Sequence, residues 1–365
     1  MAPLAFIGSK LFDGEAWVFE KVILVNENKI EAVVASSEIP SHYIKKQVSG
    51  FIAPAFIDVQ IYGAFKKLLA VHPEPETLRL MHEYCTAGGA PLHLPTVATN
   101  SLDVFKKSID AVRHYWKDGG KGVYGLHLEG PWIHPEKRGA HAIQFIHAPT
   151  LDEVTALLDY GKGVIKMITL APEVCSQAVI EFIQKEGIII SAGHSNATYD
   201  QAMHAFNKGI PTATHLFNAM SALQHRSPGM VGALFNHPTA TCSVIPDGHH
   251  VDYAAIQIAK KLMGQRLFAI TDAVIETTEG YYQHQFKGDK YESNGILSGS
   301  ALTMHKAFQN LVRHVAVPVE EALRMCSLYP ASVLGEEAYG RIRPGCAAQF
   351  VVIGEDLELL DVISA

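Results

Sequence analysis

Five residues in this chain combine chemical capability with a recurring position. Gln60, Glu129, His194, His215 and Asp272 each lie at the end of an apolar, β-forming run. A lone glutamate in His127-Leu128-Glu129-Gly130-Pro131 reads equally well as a solvated loop residue. His127 and Glu129, two apart in a strand, share a face, and Gly130-Pro131 turns the chain away behind them. His194 closes the apolar run Ile188–Gly193, and His215 closes Thr212-Ala213-Thr214 one strand later. Either alone fits a satisfied core histidine. Adjacent strands lie ~4.8 Å apart, so imidazoles at matching heights can share an ion. Two histidines and a carboxylate suit zinc or ferrous iron, with a position left for water. Asp272, after Ala269-Ile270-Thr271, has the chemistry of a base for that water or of a fourth ligand. His42, His72, His82, His114 and His284 fall in helical or loop stretches and are expected at the surface.

The elements that must position these groups alternate along the middle of the chain. Eight strands are expected at Phe51–Gln60, Ala90–Thr96, Gly122–Glu129, Val164–Leu170, Gly187–His194, Ile210–His215, Ala240–Pro246 and Arg266–Asp272. Helical patterns separate most of them: Glu76–Ala87, Ser101–Trp116, Leu151–Tyr160, Glu173–Lys185, Ala197–Lys208 and Asp252–Met263. Strand–helix alternation implies parallel pairing with right-handed crossovers, and eight units imply closure into a (β/α)8 TIM-type barrel. Such barrels gather the C-terminal strand ends at one mouth, which is where all five chemical residues fall. The sixth unit is the weakest, because Asn218–Asn236 is interrupted by Gly and Pro. Residues 281–297 read as a β-hairpin inserted after the eighth strand. Trp17–Val25, the turn Asn26-Glu27-Asn28-Lys29, Ile30–Ala35 and the late run Gln349–Ile353 are β-rich. They suggest a small β-sandwich-like domain built from residues 1–50 and 337–365 around a barrel of residues 51–336.

Composition narrows the class. The chain has 365 residues, 48% of them hydrophobic, and a net charge of −7 with scattered basic residues. That supports a large core and argues against a nucleic-acid partner. Five widely spaced cysteines without a C-x-x-C fit reduced thiols in a cytoplasm. No secretory signal or membrane-length apolar run is apparent, so no membrane partner is expected.

Several motifs occur together in order: Pro54-Ala55-Phe56-Ile57-Asp58-Val59-Gln60, His127–Pro131, Ser191-Ala192-Gly193-His194-Ser195, Thr214-His215-Leu216-Phe217-Asn218-Ala219-Met220, Asp247-Gly248-His249-His250-Val251-Asp252, Thr271-Asp272-Ala273 and Leu297-Ser298-Gly299-Ser300-Ala301. In this set the chain resembles the N-acetylglucosamine-6-phosphate deacetylase family of the amidohydrolase superfamily. The resemblance implies metal-activated hydrolysis of the N-acetyl group of a phosphorylated amino sugar, in amino-sugar catabolism. It implies Glu129, His194 and His215 as ligands of one divalent ion, zinc or alternatively ferrous iron. It implies Asp272 as general base and then acid, and His141 as the contact to the acetyl carbonyl. Asn218, Ala219 and Arg226 correspond to the phosphate-binding group and His250 to the histidine holding the sugar. Members are usually homodimers, so the resemblance implies a homodimer in which Arg226 serves its own or the neighbouring subunit. The chain departs from the family where a His-x-His pair often ends the first strand. Gln60-Ile61-Tyr62 stands there, which implies one metal per subunit, with Gln60 touching it through water at most. A cyclic-amide or nucleobase amidohydrolase would share the ligands without the phosphate group. A catalytically dead sugar-phosphate binder would have lost Asp272 or a ligand, and neither is lost.

Overall fold

The computed structural model describes residues 2–364. Its centre is a parallel sheet of eight strands in chain order: Ile57–Ile61, Leu92–Ala98, Leu126–Glu129, Ile165–Leu170, Ile189–Ala192, Thr212–Ala213, Thr241–Val244 and Leu267–Ala269. A parallel bridge from Ile61 to Ala273 and a hydrogen bond from the Asp272 N–H to the Gln60 carbonyl, 3.0 Å, join first strand to last. This is the (β/α)8 barrel expected from the alternation.

Helices flank the strands at nearly the expected residues, including Pro75–Ala87, Leu102–Lys117, Leu151–Tyr160, Gln177–Lys185, Tyr199–Asn207 and Tyr253–Met263. Their starts are chemical. Ser101, Thr150, Ser176, Thr198 and Asp252 each accept a hydrogen bond from a backbone N–H of the first turn. The sixth unit is completed by Gly229–Asn236, a short helix that the Gly/Pro content obscured.

Three differences have physical causes. The run Phe51–Gln60 is two strands, because the backbone changes partner between them. Phe51–Pro54 pairs with Gln349–Ile353, whereas the N–H of Phe56 donates to Gly89 at 2.8 Å and Ile57 begins the barrel. A continuous apolar run does not reveal such a switch. The barrel strands also stop before His194, His215 and Asp272, whose φ values of 49°, 39° and 53° leave the β region. The insertion after the eighth strand is three-stranded, Gln285–Phe286, Lys290–Ser293 and Ile296–Ser300, rather than a single hairpin.

Strands from both termini form two further sheets. One orders Lys29–Ala35, Lys21–Asn26, Leu4–Ile7 and Ile44–Gln47; the other orders Leu359–Ser364, Gln349–Ile353, Phe51–Pro54, Leu11–Phe12 and Trp17–Val18. Phe6, Ile23, Ile30, Ile52 and Phe350 share the core between them. By contacts the chain divides into Val59–Tyr84 with His93–Leu302 as one unit and the remaining described residues as the other. Every expected site residue lies in the first of these units. No described helix is long and apolar enough to cross a membrane.

Candidate active site

Glu129, the last residue of the third strand, is buried, and three imidazoles converge on its carboxylate. Nε2 of His194 and of His215 lie 3.3 and 3.2 Å from Oε1, and Nε2 of His141 lies 3.2 Å from Oε2. The two strand-end histidines are brought together as adjacent strands require, with their Nε2 atoms 3.2 Å apart. Left-handed backbone at His194, His215 and Asp272 costs roughly 1–3 kcal/mol at each. It turns the chain immediately after the strand, and all three side chains line one cavity at the mouth.

The tautomers of this cluster follow from the outer hydrogen bonds. Nδ1 of His194 faces the Lys137 carbonyl at 2.7 Å, and Nδ1 of His215 faces the Asn218 carbonyl at 3.2 Å. A carbonyl only accepts, so each Nδ1 carries the hydrogen and a neutral ring presents its lone pair at Nε2. Thr99 donates its hydroxyl to the Glu129 carbonyl, 3.1 Å, and meets Nδ1 of His141 at 2.7 Å, so Nδ1 of the third ring also carries a hydrogen. The lone pairs of His194 and His215 and a carboxylate then face one another with no hydrogen between them. Such an arrangement calls for a positive charge at its centre, and backbone carbonyls on the outer nitrogens are how metal-binding histidines are held. The donor set fits a divalent metal ion. The ligand atoms of Glu129, His141 and His194 all lie within 4.8 Å of one another, so His141, expected only as a carbonyl contact, stands among the donors.

Burial pushes His194 down to about 4, so its ring is neutral at neutral pH. Burial also lifts the Asp272 carboxyl above its ordinary value, with Glu129 adding to the rise. Asp272 is therefore a stronger base than an exposed aspartate.

Gln60 and Tyr62 link the two carboxylates. Gln60 Nε2 donates to Glu129 Oε1 at 3.0 Å and to Asp272 Oδ1 at 2.7 Å. The Tyr62 hydroxyl donates to Glu129 Oε2 and lies 3.3 Å from Asp272 Oδ1. Burial and then the Asp272 and Glu129 charges push the Tyr62 phenol well up, so it remains a donor. His127, on the same face as Glu129, is one layer lower. Its ring is satisfied by the Val59 carbonyl at 3.0 Å and the Thr169 hydroxyl at 2.7 Å, the ordinary core role.

The cavity around this centre has a volume of about 170 Å³ and is also lined by Asn218, Ala219 and His250. Asp247 shapes the last of these. Its Oδ1 accepts from the N–H groups of His249 and His250, at 2.9 and 2.8 Å, and its Oδ2 holds His250 Nδ1 at 2.6 Å. Arg226 is not brought in. It is exposed in the turn Gln224–Ser227 and is not among the residues lining the cavity.

His284 corrects the expectation of a surface role. It is 4% exposed, lines the cavity, holds Ser298 Oγ at 2.8 Å from Nδ1 and stacks on Tyr282. Tyr282 itself donates to the Thr99 carbonyl. The sequence signal for both was weak, since only the insertion's own fold carries them to the mouth. Asp247 was more legible, because Asp-Gly-His-His is a turn sequence with a carboxylate three residues before a histidine.

A model described as "Amidohydrolase family" matches residues 51–364. The chain is 31% identical to N-acetylglucosamine-6-phosphate deacetylase of Haemophilus influenzae, over 93% of this chain and 92% of the relative. It is 33% identical to N-acetylgalactosamine-6-phosphate deacetylase of Shewanella, over 88% and 83%. Among solved structures, N-acetylglucosamine-6-phosphate deacetylase from Pasteurella multocida superposes with a TM-score of 0.93 at 32% identity, covering 99% of this chain and 98% of that one. The match takes in the whole barrel and both ends of the buried polar cluster, from Gln60 to Asp272, and on that ground the chain belongs to the amidohydrolase family.

Proposed function

We propose that this chain hydrolyses the N-acetyl group of N-acetyl-D-glucosamine 6-phosphate to D-glucosamine 6-phosphate and acetate, a step of amino-sugar catabolism. The observation that carries the reading is the buried Asp272 carboxylate, tied through Gln60 to a Glu129–imidazole cluster inside a cavity lined by Asn218, Ala219 and His250. Relatives matched over more than nine-tenths of both chains carry this activity in their names.

Glu129, His194 and His215 would hold one ion per chain, zinc or alternatively ferrous iron. When bound, such an ion makes an amide carbonyl more electrophilic and a water more acidic. Asp272 accepts the proton of the attacking water and delivers it to the departing nitrogen, without which an amine does not leave. Gln60, donating to Asp272 Oδ1, aims the other carboxylate oxygen at that proton. His141 orients the acetyl carbonyl, a contact that requires a hydrogen on Nε2 as well as the one Nδ1 gives to Thr99. His250, with Nδ1 committed to Asp247, keeps Nε2 to accept from a sugar hydroxyl. Asn218 and Ala219 receive the far end of the substrate, and Arg226 binds phosphate from a neighbouring subunit of a homodimer. The five cysteines are all free, in keeping with a cytoplasmic enzyme.

The test is acetate release by metal-replete enzyme from the 6-phosphates of N-acetylglucosamine and N-acetylgalactosamine, and from unphosphorylated N-acetylglucosamine. Highest kcat/KM on the gluco 6-phosphate is expected. Preference for the galacto epimer would transfer the assignment to that sugar, and no acetate from any of them would overturn the reading.

A further inference from the structure

An apolar cluster lines one arc of the cavity, with His284 and Ser298 beside it, while Asn218 and His250 lie with Ile245 on another arc. Asn218 and Ala219 follow the sixth strand and His250 follows the seventh. Leu68 lies in the short hairpin Gly63–Leu68 after the first strand, Ala98 ends the second, and Val274 and Tyr282 follow the eighth. Strands eight, one and two are contiguous in the closed sheet. Leu68, Ala98, Val274 and Tyr282 are buried and form one apolar cluster, with Tyr62 packed against it. The Glu129–Asp272 centre lies within reach of both arcs.

An amide sends its acyl substituent and its amine in opposite directions from the carbonyl carbon. The sugar, with hydroxyls and a phosphate, needs the arc that offers Asn218 and His250. Its acyl substituent, which has only C–H bonds to offer, is then directed at the arc of strands eight, one and two. We infer that Leu68, Ala98, Val274 and Tyr282 form an acyl subsite that holds the acetyl methyl and restricts the enzyme to short N-acyl groups. The inference rests on the deacetylase reading above and specifies its substrate range.

The wall is built so that it does not retreat. A Cβ on Gly299, whose φ is 153°, would stand 2.5 Å from a Val274 methyl carbon, so backbone lies directly behind that side chain. A Cβ on Gly63 would stand 2.3 Å from the Lys67 carbonyl oxygen and 3.0 Å from Leu68 Cδ2. The hairpin carrying Leu68 is closed by Phe65 and Lys66, both left-handed, with φ of 46° and 73°. Tyr282 is fixed by its hydrogen bond to Thr99 and its stacking on His284. Val274, Leu68 and Tyr282 are thus held from behind by backbone or by a hydrogen bond.

The experiment measures kcat/KM on N-acetyl-, N-propionyl- and N-butyryl-glucosamine 6-phosphate. For the wild type, each added methylene is expected to lower kcat/KM roughly tenfold or more, the discrimination a filled apolar pocket exerts. Val274→Ala and Leu68→Ala are expected to raise the propionyl-to-acetyl ratio about tenfold. Ala98→Val, which adds bulk rather than removing it, is expected to lower that ratio. Ile245→Ala, on the cavity's seventh-strand side, is expected to leave it where it was. Unchanged ratios in Val274→Ala and Ala98→Val, with the acetyl substrate still turned over, overturn the subsite and leave the reaction standing. An Ile245→Ala shift as large as that of Val274→Ala also overturns it. No acetate release by the wild type overturns the deacetylase reading, and the subsite with it.

Discussion

Gln60 and Asp272, more than two hundred positions apart, are bonded twice. The Gln60 side-chain amide donates to Asp272 Oδ1 at 2.7 Å, and the Asp272 N–H donates to the Gln60 carbonyl at 3.0 Å. The backbone bond closes the barrel between its first and last strands, and the side-chain bond aims the proposed base. Closure and the proposed proton transfer therefore involve the same pair of strand ends. A buried carboxylate beside Glu129 is costly, and the donor between the two offsets part of that cost.

Asp272→Asn is expected to keep fold and bound metal and to lose turnover by about 10³-fold or more, since one residue would serve as both base and acid. Asparagine preserves the size but takes no proton. Metal analysis beside kcat checks this. Loss of the ion along with turnover would make Asp272 a ligand instead.

One metal per chain is expected. In a two-metal barrel the first strand supplies two imidazoles on one face. Here Gln60 and Tyr62 occupy those places and spend their donors on Glu129 and Asp272. A neutral amide and a phenol held protonated are weak ligands for a divalent transition metal. Elemental analysis of protein purified without added metal should give a stoichiometry near one. A reproducible value near two, with activity following the second equivalent, would refute the expectation.

The site was legible from sequence to the extent that strand ends are legible. Glu129, His194, His215 and Asp272 follow apolar runs, and a closed barrel leaves strand ends no other place to go. The residues that were not legible reach the site by tertiary routes. His284 and Tyr282 ride on a three-stranded insertion whose approach to the mouth depends on its packing, for instance Tyr282 against Thr99. The left-handed backbone at His194, His215 and Asp272 was hidden too, because histidine and aspartate, though enriched at positive φ, adopt it at only a small fraction of their positions. The junction at Ala55-Phe56 was missed for the converse reason. Its residues are as apolar as their neighbours, and only the change of hydrogen-bond partner separates two strands.

Arg226→Ala is expected to raise KM for the 6-phosphate at least tenfold, with little effect on unphosphorylated N-acetylglucosamine. An arginine–phosphate fork is worth more than this factor when well made. Its exposed turn lies outside its own chain's cavity, so the role proposed for it is in trans. Mixing Arg226→Ala with Asp272→Asn subunits should then restore part of the activity, since each mixed dimer assembles one intact site. Equal KM changes on both substrates would remove the phosphate role, and no recovery on mixing would place Arg226 in its own subunit's site.

The last expectation concerns acid stability and His93, in the second strand. Its ring is fully buried, neither nitrogen meets a protein partner, and it stacks on His82 with ring centroids 5.8 Å apart. Burial, with His82 nearby, pushes its pKa down to about 3 from 6.5. The sign follows from which state binds the proton. Between pH 6.5 and about 3 the unfolded chain takes up a proton that the folded ring refuses, so stability is complete above pH 6.5 and falls as the pH drops below it. At pH 5 this one residue should cost about 2 kcal/mol relative to pH 7.5. His284, pushed down to about 4 by burial, acts with the same sign. His93→Phe keeps an aromatic ring against His82 and removes both the proton and the two unsatisfied nitrogens, whose burial itself destabilises. The variant should match or exceed the wild type in urea at pH 7.5 and exceed it by about 2 kcal/mol more at pH 5. An identical loss of stability between the two pH values in both proteins would show that His93 is protonated equally in the folded and unfolded states.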